Sequence, residues 1–115
     1  MFDELTILRD ASALARYSAM RQQLIAENIA NANTPGYVAR DLQDFSAVYS
    51  SEKDQGRPID WHPEVTKSPN ATSPNGNTVS VQEEMAKSAL NEGQHETAVA
   101  VYRKAIDILR ISLGR

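Results

Sequence analysis

The two histidines are the side chains of this 115-residue sequence that most readily suggest chemistry. His62 lies in Asp60-Trp61-His62-Pro63-Glu64, and His95 lies in Gly93-Gln94-His95-Glu96. A histidine flanked by carboxylates can hold a metal ion or move a proton. Here the ligand spacing for that role is missing: there is no H-x-x-x-H pair and no Gly-rich phosphate loop. Ser and Asp are plentiful, so a chance Ser-His-Asp set carries no weight. The zero cysteines exclude disulfides, thiol catalysis and Cys-based zinc sites. The histidines read as a solvated loop residue and a helix-seam residue. No catalytic residue, metal or cofactor is expected.

The elements that would carry these residues follow from where the helix breakers fall. Four of the five prolines lie between residues 58 and 74, and the first 33 residues contain neither Gly nor Pro. From Val79 onward there is no Pro, and Gly occurs only at 93 and 114. Two long helices flanking a loop-rich centre are therefore expected, over residues 5–32 and 80–113. The 12 Lys+Arg against 15 Asp+Glu give a net charge of −3, a poor footprint for nucleic acid or an anionic membrane. No stretch approaches 18 apolar residues, so no membrane span is expected. The opening Met-Phe-Asp-Glu-Leu-Thr lacks a basic n-region and an apolar h-region, so no cleavable secretory signal is expected.

In the first helix the row Ile7, Ala11, Leu14, Ser18, Arg21, Ile25, Asn28, Ala32 steps by 3 and 4, beside a second row of Tyr17, Met20 and Leu24. Its many alanines make a slim rod, roughly 40 Å long at 1.5 Å per residue. In the second helix Ser80 and Glu83 form an S-x-x-E capping box, with Glu83 and Glu84 in the first turn. The row Val81, Met85, Ser88, Glu92, His95, Val99, Tyr102, Ile106, Leu109, Leu113 reads as a heptad seam, broken at Ser88, Glu92 and His95. An all-α fold is expected, in which the two helices pack as an elongated coiled-coil-like hairpin. Leu14, Leu24, Ile25, Val81, Met85, Val99, Tyr102, Ile106, Leu109 and Leu113 would form the seam.

The centre offers less. Residues 68–77, Ser-Pro-Asn-Ala-Thr-Ser-Pro-Asn-Gly-Asn, cannot hold a regular element, and Asn75-Gly76 is a turn dipeptide. Ile59, Trp61 and Val65 alternate loosely with polar residues. That suits a short strand or an extended loop whose Trp61 docks on a helix. With aromatics at 6%, a large aromatic core is not expected, and the centre should add little core. The division is 1–37, a helix and turn; 38–78, a variable centre; and 79–115, the second helix, together one domain.

Residues 28–37 read Asn-Ile-Ala-Asn-Ala-Asn-Thr-Pro-Gly-Tyr. Asn31 and Asn33 suit C-cap and left-handed positions. Thr34 is pushed out of the helical region by Pro35. Pro35-Gly36 fits the centre of a type II turn, after which Tyr37 can pack back on the helix. The density of Asn exceeds what a terminator needs, and amides at a helix end can bond neighbouring backbones.

With Ala26 and Glu27 before it, this segment resembles the N-terminal signature of the bacterial flagellar rod and hook axial proteins. Asn28, Ile29, Ala30, Asn31, Thr34, Gly36 and Tyr37 match that signature. Phe2-Asp3, the run from Arg40 to Phe45 and the run from Gly76 to Lys87 are most similar to the family's small proximal-rod members. The resemblance is dense over residues 1–49 and 76–115 and absent over roughly 50–75. One departure is Gly93-Gln94-His95-Glu96, where the relatives carry an aromatic near His95.

The resemblance implies a structural subunit of the proximal rod of the flagellar basal body. Copies would assemble helically into a hollow, torque-bearing shaft that also forms part of the export channel. It implies export by the flagellar type III apparatus to a periplasmic assembly site. The implied partners are copies of the chain, other rod subunits, membrane-ring and rod-adaptor proteins, and the export gate. Family signature and subunit packing would fall to Asn28, Ile29, Ala30, Asn31, Asn33, Thr34, Pro35, Gly36 and Tyr37. The alternatives are a sister rod subunit or a small helical adaptor. Residues 98–106 resemble part of a tetratricopeptide helix, but stacking needs about three repeats and no second copy is visible.

Overall fold

The computed structural model describes residues 2–53, 59–66 and 72–114. Its element order is α1 (Phe2–Ala30), β1 (Arg40–Asp41), α2 (Phe45–Glu52), β2 (Glu64–Val65) and α3 (Val81–Ser112). Helices α1 and α3 lie antiparallel along a molecule of 63 × 26 × 18 Å. β1 and β2 pair antiparallel, with Arg40 opposite Val65 and Asp41 opposite Glu64. Pro58, Pro69 and residues 68–71 of the Ser/Pro/Asn run lie outside the described residues.

Helix α3 starts at the capping box: the Ser80 hydroxyl accepts the Glu83 amide at 3.3 Å. Its last turn is closed by Leu113, whose amide reaches the Leu109 carbonyl, and by Gly114 at φ 73°. Helix α1 ends at Ala30, two residues before the sequence reading placed it. The chain leaves it through overlapping short turns, with Asn31 N–H on Glu27 O and Asn28 O and Ala32 N–H on Ile29 O.

α1 buries two faces. Ala11, Ser18 and Ile25, seven apart, face α3. Tyr17 and Leu24 face the central segment. There the expectation of a core-poor centre fails. Tyr17, Leu24, Leu42 and Trp61 form the hydrophobic cluster, with Leu14, Phe45, Val48, Tyr49 and Ile59 packed against it. Trp61 meets Tyr17 edge-on at 4.7 Å between centroids and lies stacked on Phe45 at 5.7 Å. Phe45 in turn stacks on Tyr49 at 4.9 Å. Few aromatics still build an aromatic core when most of them converge on one spot. Helix α2, unexpected from the sequence, exists because Phe45, Val48 and Tyr49 at i, i+3 and i+4 share one face. The Tyr17 hydroxyl is satisfied by Gln43 O at 2.7 Å, and burial pushes its phenol pKa up.

The seam of α3 also differs from its expected row. The buried positions are Glu84, Asn91, Ala98 and Ala105, one residue before Met85, Glu92, Val99 and Ile106. Val81, Met85, Tyr102 and Leu113 are exposed, and Val99, Ile106 and Leu109 are half-buried. The apolar residues flank the contact, while small and polar residues fill it. The supposed break in mid-seam is a polar lock. Asn91 donates to Ser18 O at 2.7 Å and to Gln22 Oε1 at 3.1 Å. Gln22 donates to Ser88 Oγ at 2.8 Å, and His95 Nδ1 lies 2.8 Å from Ser18 Oγ. Polar pairs inside a helix seam fix register at some cost in stability.

Candidate assembly interface

The asparagine-rich segment is built into an interlock of two turns. Thr34 O accepts the Tyr37 amide at 3.2 Å across Pro35-Gly36, and Gly36 has φ 74°. That is a type II turn. The second turn is Ser73-Pro74-Asn75-Gly76, with Gly76 N–H on Ser73 O at 2.8 Å and Gly76 at φ 84°. A Cβ on Gly76 would sit 3.4 Å from the Gly36 Cα, so the turns abut through their glycines. They are tied by Gly36 N–H on Asn75 O and Thr78 N–H on Tyr37 O, at 2.9 and 3.0 Å. Among the described residues no non-glycine has positive φ, so Asn31 and Asn33 are not left-handed.

The asparagines divide their work. Asn28 is 1% exposed; it donates to Arg40 O at 2.8 Å and accepts the Arg40 amide at 3.1 Å and the Tyr37 hydroxyl at 3.3 Å. It therefore clamps β1 to α1 inside the chain, and at 1% exposure its amide is out of reach of a neighbouring subunit. Asn31 donates to Glu27 O at 2.8 Å and accepts from Thr34 Oγ1 at 3.1 Å. The sequence reading missed Asn77, which is buried and donates to both Asn31 O and Thr34 O, at 2.8 and 2.7 Å. Its Oδ1 accepts the Val79 amide at 2.8 Å, just before α3 begins. The only sequence signal for it was an Asn following the Asn75-Gly76 turn. Ile29, Ala30, Asn33, Thr34, Pro35 and Gly36 are exposed.

A charged cluster braces the same end. Arg21 grips Asp41 with two bonds of 3.0 Å, and Lys87 lies 3.5 Å from both Asp41 and Glu84. Burial opposes the Asp41 charge, yet the Arg21 guanidinium, the Leu42 amide and Lys87 hold its carboxyl below the usual range. α1, β1 and α3 are thereby joined.

The far end of the hairpin is different. Ala11, Ala98 and Ala105 bring the helices close, which leaves the larger apolar side chains outside. Leu5, Ile7, Val101, Ile108 and Ile111 are exposed, Ile111 at 77%. An open groove of about 320 Å³ lies between the helices there, lined by Ile7, Val101, Ala105 and Ile108 among others. On the opposite flank Val99 and Tyr102 line a second groove with Ser12, Ala15 and Arg16. Exposed apolar surface of this kind marks an interaction face.

Neither histidine gathers a site. His62 is exposed and pairs loosely with Asp60 at 3.4 Å. Ser18 and His95 resemble a nucleophile and base, but Ser18 is fully buried and its hydroxyl donates to Ala15 O at 3.0 Å. Which of Ser18 Oγ and His95 Nδ1 donates to the other follows the imidazole tautomer. Among the described residues no three His, Asp or Glu side chains come together as a metal site, and no helix is long and apolar enough to cross a membrane.

Residues 10–37 match the family model described as flagella basal body rod protein. A flagellar basal body rod protein FlgB of Agrobacterium fabrum is 32% identical over 121 residues, covering 91% of this chain and 90% of that protein. The Aeromonas hydrophila protein of the same name is 31% identical, over 69% of this chain and 70% of its own length. The one of Escherichia coli is 43% identical over 58 residues, half of this chain and 41% of that protein.

Proposed function

The chain belongs to the flagellar basal body rod protein FlgB family, and on that premise we propose that it assembles in the proximal rod through the uncovered flanks of its helix pair. It is a structural subunit of the flagellar basal body rod. The observation that carries the assembly reading is the distal half of the hairpin. Apolar residues stand outside an alanine seam on both flanks, where a lone chain leaves them in water.

Each flank is different, so copies meet through unlike surfaces. Such contacts build open helical arrays when the rotation does not close. Rods of 63 Å set side by side would share torque over many side-chain contacts and enclose a channel for exported subunits. The exposed signature residues Ile29, Ala30, Asn33, Thr34, Pro35 and Gly36 would contact neighbouring subunits at the other end. Val99, Tyr102, Ile106, Leu109 and Leu113, flanking the internal seam, would do so along the shaft. The partners would be further copies, other rod subunits, the membrane ring, the rod adaptor and the export gate. Assembly would be periplasmic, after export by the flagellar type III apparatus. Residues 1–37 and 79–115 would form the helical frame of one axial-protein domain, with 38–78 as its centre.

Imaging of basal bodies from a strain lacking this chain tests the reading. The expected particles keep the membrane ring and lack the rod. Complete rods in that strain would overturn it.

A further inference from the structure

A groove of about 260 Å³ runs along a side of α1 that α3 does not cover, closed by α2 and the Trp61 segment. Met20, Ile59 and Trp61 give it an apolar lining, and Arg9, Arg16 and Lys53 stand around it. Arg9 leans on Asp10 at 3.8 Å, whereas the side chains of Arg16 and Lys53 carry no ion pair among the described residues. Three cations gathered at one apolar groove, in a chain of net charge −3, form a local field that carboxylates would answer.

The complement lies on α3. Met85, Ala89, Glu92 and Glu96 step by 4, 3 and 4, and all four are exposed on one stripe. Glu92 and Glu96 have no ion pair among the described residues, and like charges four apart oppose the helix that holds them. Arg9 and Arg16 are about 10 Å apart along α1 and bracket the small Ser12 and Ala13. Glu92 and Glu96 are about 6 Å apart and fit within that span. No α3 residue lines the groove, so a chain's own stripe does not fill it.

We infer that this groove receives the Glu92–Glu96 stripe of a second copy of the chain. The inference rests on the assembly reading above and names one of its contacts. Because each copy offers the groove on one side and the stripe on another, the contact is head-to-tail and propagates.

The absence of cysteine makes the test direct. A chain carrying Ser12→Cys and Gly93→Cys, where Gly93 lies on the stripe between the two glutamates and an added Cβ meets nothing within 4 Å, is expressed in the native bacterium in place of its own, and purified basal bodies are oxidised. Non-reducing gels should show disulfide-linked dimers and a ladder above them. Neither single variant, nor Ser12→Cys with Val65→Cys, should give that ladder. Rods that contain the double variant yet yield only monomer overturn the groove contact and leave the assembly reading standing. Basal bodies of the parent strain that lack the chain altogether overturn both. As a second arm, Arg16→Glu should abolish swimming and Glu92→Arg in the same chain should restore it. Normal swimming of Arg16→Glu, or no rescue, also overturns the contact.

Discussion

Trp61→Ala should destabilise the isolated chain by about 3–5 kcal/mol, the range for removing a large buried aromatic. Trp61 is buried and is held by Tyr17 on one side and Phe45 on the other. The loss combines transferred apolar area, two aromatic contacts and a cavity that the short α2 cannot collapse to fill. The α1–α3 seam lies on another face of α1, so the damage falls first on the central segment. Thermal melting followed by circular dichroism should show the midpoint drop by roughly 10–20 °C. Near-ultraviolet ellipticity from the aromatic cluster should fall at temperatures where far-ultraviolet helicity persists. A midpoint within about 1 °C of the parent would mean that the centre is not docked on α1.

Asn28→Ala should cost about 2–4 kcal/mol, although it removes only one small amide. The truncation strips partners from both the amide and the carbonyl of Arg40 and from the Tyr37 hydroxyl. Groups left unpaired against a buried surface carry the desolvation penalty in full. Asn33→Ala is the control: Asn33 is exposed, and its replacement should change stability by no more than about 0.5 kcal/mol. Urea titration of the three proteins, with hydrogen exchange at the Arg40 amide, measures both effects. Equal stability of the two variants would mean that the signature asparagines serve contacts between subunits and do not hold the chain itself.

That contrast also shows what the sequence could convey. Breaker positions placed both long helices, because Gly and Pro act locally. The Ser80 cap and the Pro35-Gly36 turn were readable for the same reason: each needs only neighbouring residues. The α1 row through Ala11, Ser18 and Ile25 was readable too, since its period held even where Ser replaced an apolar residue. The α3 seam misled because its largest apolar side chains mark the flanks. Glu84, Asn91, Ala98 and Ala105 face α1, and nothing in their types separates a seam from a surface.

The roles of individual signature residues were hidden for a different reason. Asn28, Asn31 and Asn33 are chemically identical, and only their distance from β1 and the second turn separates a clamp from a surface amide. Asn77 acquires its role from the meeting of segments far apart in the chain. Trp61 was expected to dock or to sit in a strand. It docks, and the strand starts three residues later at Glu64.

The central claim is that the open apolar flanks of the distal hairpin build the rod. Val101 and Ile108 are exposed, so Val101→Asp with Ile108→Asp should leave the monomer's helicity as it is. The decisive measurement is imaging of basal bodies from a strain whose chain carries both changes. The account predicts membrane rings without rods. Complete rods on a swimming cell would contradict it.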